Sequence, residues 1–440
     1  MIVKDTMKKL IVEYQQLMLP ELTKRDTYFS PMETNKIISI IGPRRSGKTY
    51  FMYQVMKELR AKGIPQEKVL YMNLEDSRLY PMKKGFLDFM MECFYELYPE
   101  NIDTEIFLFL DEIQNVKFWE KFVRRISENK KVKVFITGSS SKVLSREIAT
   151  SLRGRTLTHV ILPFSFKEAL RAKGIQINNN VIYGKDRFMI KKWFDEFLEF
   201  GGFPEIVHEK NKNIRIRILQ EYLNVMIYRD IVERYNVRNL HLLKLIIKYI
   251  LNNTGTYFSI SSVYKAVKQS ISASKATISE YISYLQEIML MFLLPNYAYS
   301  LKEAERVPKK VYVIDTGLRN ANTFIYTEDL GRLLENIVFL ELFRDTLRDP
   351  QKKIYYLKEN KNFEVDFLVT KKNEITEIYQ VAWDVTKEST RIREEKSLVA
   401  ALKKFGLKKG VILTEDFAGE KYIDNKLVKY IPTWIWLITK

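Results

Sequence analysis

Over the first third of the chain, short apolar runs alternate with longer stretches in which apolar residues recur every three or four positions. The runs are Lys36–Ile41, Val69–Leu74, Ile106–Leu110, Val132–Thr137 and Leu157–Leu162. They are largely continuous, as strands covered on both faces of a parallel sheet are, and the stretches between them read as the covering helices. Glycine and polar residues punctuate the strand ends, where an open parallel sheet binds its ligand. Ahead of this region, residues 1–36 hold an amphipathic stretch, Met7 to Met18, and a polar connection broken by Pro20 and Pro31. This segment reads as a lead-in.

After Pro163 the period is helical. Phe188–Phe200 stops at Gly201-Gly202, and Ile214–Tyr235 continues the pattern, predicting a helical lid or bridge. Leu240–Leu251, Ile260–Val267 and Ser274–Ile288 are three helical patterns joined by short polar links, a spacing that suits a winged helix-turn-helix. Mixed elements return with Lys310–Ile314, Gly331–Leu347, Lys353–Leu357, Val365–Val369, Ile375–Val381, Arg391–Phe405 and Val411–Leu413, a smaller α/β domain. The expected segments are therefore a lead-in (1–36), a sheet domain (37–165), a helical lid (166–238), a winged helix (239–308) and a C-terminal domain (309–440).

Composition narrows the function. The 440 residues include 72 Lys+Arg and 54 Asp+Glu, a formal charge of +18, which favours nucleic acid or another polyanion as partner. With 46% hydrophobic residues the chain is expected to fold into sizeable cores rather than remain disordered. The single cysteine, Cys93, excludes an internal disulfide framework and thiolate zinc clusters, and His159, His208 and His241 are too scattered to suggest a metal site. The most apolar stretch, Ile288–Leu294, is too short for a bilayer, and the N-terminus has no signal-peptide core. A soluble, cytoplasmic protein with no membrane partner is expected.

Gly42-Pro43-Arg44-Arg45-Ser46-Gly47-Lys48-Thr49 matches the phosphate-binding pattern G-x-x-x-x-G-K-[ST] in full, directly after one apolar run and at the start of a helical one. Gly42 and Gly47 permit a backbone turn whose N–H groups face a polyphosphate at a positive helix end. Lys48 supplies a point charge to the β/γ oxygens and Thr49 a hydroxyl to Mg²⁺. The loop residues and the adjoining Tyr50 are the candidate contacts to ATP. Ile106–Leu110 then runs into Asp111-Glu112, a Walker B pattern in which Asp111 would hold Mg²⁺ and Glu112 would orient and deprotonate the attacking water. Ser139, after the next strand, is the chosen sensor of the attacking water or γ-phosphate, with a helix cap as the competing reading. Arg153 or Arg155 would stabilise charge on the transferred group, Arg155 being preferred. An arginine donated by a second copy, in a homo-oligomer, would serve the same end.

These motifs, with Leu110-Asp111-Glu112-Ile113-Gln114, Thr137-Gly138-Ser139-Ser140-Ser141 and Leu152-Arg153-Gly154-Arg155, resemble the AAA-type ATPases common in archaea. Gly201-Gly202-Phe203-Pro204 and Tyr228-Arg229-Asp230-Ile231 are similar to that family's helical segment. Val313-Ile314-Asp315-Thr316-Gly317-Leu318, with Gly331 to Glu341, resembles its uncharacterised C-terminal domain. The resemblance spans nearly the whole chain and implies an AAA-like P-loop fold.

Two features bear on partners. In the winged helix, Lys275, Thr277, Ser279 and Ser283 would face a major groove or its phosphates. The stretch from Asn239 to Lys310 holds nine Lys/Arg against four Asp/Glu, which favours DNA over a protein surface. In the C-terminal domain, Glu364-Val365-Asp366-Phe367-Leu368-Val369 and Ile378-Tyr379-Gln380-Val381-Ala382 resemble the strand pair of restriction-type nucleases, with Glu335 as the upstream acid. Gln380 stands where that family has an acid and Ala382 where it has a lysine, so a nuclease-like fold with weak or absent cleavage is expected. The reading is an Mg²⁺-dependent ATPase that couples nucleotide state to DNA or partner binding. The rivals are a nucleotide-gated switch with negligible turnover and an ATP-linked nuclease.

Overall fold

Five strands, β1 (Ile37–Ile41), β2 (Val69–Asn73), β3 (Ile106–Asp111), β4 (Val132–Gly138) and β5 (Thr156–Val160), pair in the order β2-β3-β4-β1-β5, every pair parallel. In the computed structural model, residues 4–26, 34–138, 154–177, 184, 186–298, 300, 307–323, 330–359 and 363–440 are described. The chain forms two compact units, Met1–Leu162 and Pro163–Lys440.

In the first unit β1, β3 and β4 are buried throughout, which is why their sequences are apolar without alternation. The helix Lys48–Ala61 leaves β1 through the glycine-bounded loop and buries Phe51, Met52, Val55, Met56 and Leu59. Residues 4–19 pack onto the sheet. The helix Lys4–Gln16 buries Met7, Leu10 and Ile11, and Leu19 joins Ile40, Phe51 and Phe107 in the core. Because β4 lies between β1 and β3, the loop after β1, the acids after β3 and the end of β4 meet at one edge of the sheet.

The second unit begins with helices. Asp186–Phe200 ends at Gly201, and Lys212–Val225 passes without a break into a π-helical segment, Met226–Val232, that contains Tyr228-Arg229-Asp230-Ile231. Next come helix Leu240–Asn252, β6 (Thr256–Phe258), helices Ile260–Lys268 and Lys275–Glu287, β7 (Met291–Leu294) and β8 (Lys309–Val313). The strands form an antiparallel sheet in the order β6-β8-β7, and Ile278, Ile282 and Leu285 point inward. Three helices and a three-stranded antiparallel sheet thus follow one another between Leu240 and Val313.

The last module opens with helix Leu330–Arg348, then β9 (Lys352–Glu359), β10 (Phe363–Lys371) and β11 (Glu374–Val381), helix Glu388–Lys404, β12 (Lys409–Thr414), the hairpin β13 (Gly419–Ile423) and β14 (Lys426–Pro432), and helix Thr433–Thr439. β9, β10 and β11 are antiparallel, whereas β12 runs parallel to β11 across the helix. The hairpin β13–β14 and the final helix, with buried Trp434 and Trp436, have no counterpart in the sequence reading.

The glycine motifs around Gly201 and Gly317 interlock. A Cβ on Gly317 would lie 1.9 Å from the carbonyl oxygen of Phe200, and one on Gly201 would lie 2.0 Å from the Asp315 carboxylate. That carboxylate accepts from the N–H of Gly202 at 2.7 Å and, as a helix cap, from the N–H of Leu318 at 2.9 Å.

Candidate functional site

The phosphate loop is shaped by its glycines. Gly47 has φ 94°, a left-handed conformation at the start of the helix. At Gly42 a Cβ would stand 2.2 Å from the carbonyl oxygen of Ile161, so no larger residue fits beside that strand. Arg45 also has positive φ, 66°, and is exposed, as is Tyr50. Ser46 is buried. The Lys48 ammonium, also buried, donates to the carbonyl oxygens of Gly42 (3.3 Å) and Pro43 (3.1 Å), folded back over the loop it would use to grip phosphate.

At the end of β3 the Asp111 carboxylate is buried and accepts from three hydroxyls: Thr49 at 2.8 Å, Tyr71 at 3.0 Å and Thr137. Burial holds its carboxyl above the ordinary carboxylate range, and the three hydroxyl hydrogen bonds only partly oppose it. A carboxylate desolvated in this way, beside a threonine and lacking a salt bridge in the described geometry, gains most from a nearby cation. The all-oxygen donor set suits a hard divalent ion such as Mg²⁺. Glu112 adopts a left-handed conformation (φ 54°), which turns the chain sharply after the strand. Its N–H donates to the Thr137 hydroxyl at 2.9 Å, and its carboxylate accepts from the Gln114 amide.

The structure thus brings Gly42, Gly47, Lys48, Thr49, Asp111 and Glu112 to one place. Ser139 and Arg153 lie outside the described residues. Arg155 is not brought to the loop. Its carbonyl accepts from the N–H of Ile37, the first residue of β1, and its guanidinium pairs with Glu128 at 2.9 Å. The length of the strand, about 15 Å, separates it from the phosphate loop of its own chain.

Three contributors escaped the sequence reading. Thr137 links Asp111 to Glu112, and its signal was its place as the last polar residue inside β4. Tyr71 comes from an edge strand with no polar motif. Arg25, in the presumed lead-in, is buried and donates from its guanidinium to the Ser46 carbonyl at 2.9 Å.

In the second unit Lys265, Lys268 and Lys275 are exposed, and the ammonium groups of Lys268 and Lys275 lie 5.8 and 5.7 Å from the ring centre of Tyr264. Ser279 is exposed, whereas Thr277 and Ser283 are half-buried, Ser283 being hydrogen-bonded to the Glu280 carbonyl. Glu335 and Asp366 are also brought together, around the ammonium of Lys310. No helix among the described residues is long and apolar enough to cross a membrane.

A parallel sheet in this strand order, with a glycine-bounded phosphate loop facing a buried aspartate and an adjacent glutamate, defines a P-loop ATPase domain of the AAA type. Residues 34–170 match the AAA domain family, while 191–329 and 330–436 match two domains of unknown function. An uncharacterised protein of Methanocaldococcus jannaschii is 37% identical over 413 residues, covering 92% of this chain and 89% of its own. One from Haemophilus influenzae is 28% identical, covering 94% of this chain and 98% of its own. Among solved structures, a Walker-type ATPase of Pyrococcus abyssi aligns with a TM-score of 0.41 at 12% identity, over 69% of this chain and 99% of its own. The chain belongs to this archaeal AAA-type ATPase family, in which the P-loop domain precedes an uncharacterised C-terminal domain.

Proposed function

We propose that the protein is an Mg²⁺-dependent ATPase whose nucleotide state governs the hold of its winged helix on DNA. The observation that carries the enzymatic part is the buried Asp111, hydrogen-bonded to Thr49 of the phosphate loop at 2.8 Å and followed directly by Glu112. Thr49 and, through bound water, Asp111 would hold Mg²⁺, which when bound neutralises charge on the phosphate oxygens. Lys48 would exchange the Gly42 and Pro43 carbonyls for phosphate, gaining a charge-assisted contact. Glu112 is the base. Gln114 holds it through a neutral amide and leaves its charge available to take a proton from water. Since Arg155 belongs to the far end of the sheet, the arginine that balances the transferring phosphoryl group would come from a second copy in a homo-oligomer.

The DNA part rests on the Tyr264, Lys265, Lys268 and Lys275 patch and on the formal charge of +18. Calorimetry with ATP and Mg²⁺ tests the site. Lys48→Ala should lose nucleotide binding, and Glu112→Gln should keep it while turnover falls about 100-fold or more. Normal hydrolysis by Glu112→Gln would reject the base assignment. Duplex-DNA anisotropy in ATP and in ADP tests the coupling, which requires different affinities in the two states.

A further inference from the structure

Strands β6 and β8 of the winged helix present a cross-strand pair, Tyr257 opposite Lys310, to the acids of the C-terminal sheet. The Lys310 ammonium, on a residue only 3% exposed, lies 3.0 Å from Glu335, 3.0 Å from Glu364 and 2.8 Å from Asp366. Glu335 comes from the helix Leu330–Arg348, and the other two acids come from β10. Every acid has a second donor: Tyr312 donates to Glu335 at 2.6 Å, Tyr257 donates to Glu364, and the N–H of Val381 donates to Asp366 at 3.0 Å.

A restriction-type centre would place a divalent cation among these carboxylates and a lysine two residues beyond the second acid. The residues here do not fit that chemistry. Gln380 spends its carbonyl on the N–H of Asp366 at 2.8 Å and its amide on Glu394, so it acts as a neutral brace between strand and helix. Ala382 is buried and its N–H donates to the Leu413 carbonyl at 2.9 Å. Among the described residues no group of three or more His, Cys, Asp or Glu is arranged to hold a metal ion. The three carboxylates instead converge on one nitrogen, at distances only a few tenths of an ångström longer than oxygen–Ca²⁺ bonds.

We infer that the Lys310 ammonium is the resident cation of this centre, standing where a metal-dependent nuclease holds its divalent ion and thereby excluding one. An ammonium delivered from the wing strand satisfies the acids permanently, so the centre serves as a charged pin between winged helix and C-terminal sheet. Removing either side leaves buried charge without a partner.

The test is Mn²⁺ binding to the nucleotide-free full-length chain, read from the free-ion electron paramagnetic resonance signal. Wild type and Asp366→Asn should bind alike, because no resident metal depends on Asp366. Lys310→Met keeps the stem and removes the charge, and should gain about one Mn²⁺ per chain, lost again in Lys310→Met/Asp366→Asn. A folded Lys310→Met that binds no more Mn²⁺ than wild type overturns the assignment, as does wild type losing an ion on Asp366→Asn. If Lys310→Met fails to fold, the comparison of wild type with Asp366→Asn decides alone, equality supporting the assignment and loss refuting it. Neither reading depends on ATP hydrolysis, so failure of the ATPase proposal leaves this one standing.

Discussion

The guanidinium of Arg25 donates to the Ser46 carbonyl at 2.9 Å and also to the carbonyl of Leu162, while the Arg25 N–H is taken by the Gln54 side chain at 2.8 Å. One buried residue ahead of the sheet thus braces the phosphate loop and the segment that follows β5 through its side chain, and the loop's helix through its backbone. Arg25→Met keeps the aliphatic stem and strands the carbonyl groups, which costs about 1–3 kcal/mol. Thermal denaturation should show that loss, and calorimetry should show ATP affinity falling about tenfold, since the loop must hold its shape before its N–H groups can meet phosphate.

Thr137 is expected to separate binding from chemistry. Thr137→Val removes the hydroxyl shared by Asp111 and the Glu112 backbone. Steady-state kinetics should give a kcat lower by about 10- to 100-fold with ATP affinity changed less than threefold, as for a residue that positions the base. Equal losses in both would make Thr137 a structural residue instead.

At Gly317 the close approach of Phe200 leaves no room for a methyl group, and the atoms it would meet are backbone. Gly317→Ala should destabilise the second unit by about 3 kcal/mol or more in urea unfolding. Gly63, where a Cβ would meet nothing within 4 Å, is the control in which Ala adds only the strain of positive φ, about 1 kcal/mol.

Asp315 gives stability a pH dependence of definite sign. Burial pushes its carboxyl up to about 6, against 3.8 when free, despite the N–H groups of Gly202 and Leu318. The folded state therefore binds the proton more tightly than the unfolded chain. Its contribution is fully present below about pH 4, falls as pH rises to about 6 and is level above that, a span of about 3 kcal/mol. Unfolding free energies measured at pH 4.5 and 7 should differ in this direction for wild type, and the difference should shrink in Asp315→Asn.

For the proposed DNA contact, Lys265, Lys268 and Lys275 replaced together by Gln should weaken duplex binding and reduce the slope of log affinity against log salt by about 2–3, one counterion per lost phosphate contact. A slope unchanged within error would remove this face from the DNA contact.

Much of the site was legible because the chemistry of polyphosphate binding constrains adjacent residues. Gly42, Gly47, Lys48 and Thr49 act through one loop, and Asp111-Glu112 must end a strand, so both appear as short words in the sequence. Likewise the apolar runs became β1 to β4 because a strand covered on both faces can carry little else, whereas the edge strand β5 is only partly buried. Arg155 lies at the opposite end of the sheet because it precedes β5, which runs parallel to β1, whereas the phosphate loop follows β1; the pairing of β5 with β1 fixes that separation.

What only the folded chain decided are the contacts between distant segments. Arg25 meets Ser46, Thr137 meets Asp111 and Lys310 meets Asp366 because strand order and domain packing bring them within about 3 Å, and no local period encodes such meetings. Local backbone preference and burial write themselves into neighbouring residues, whereas a buried charge finds its partner only after the sheet has been assembled.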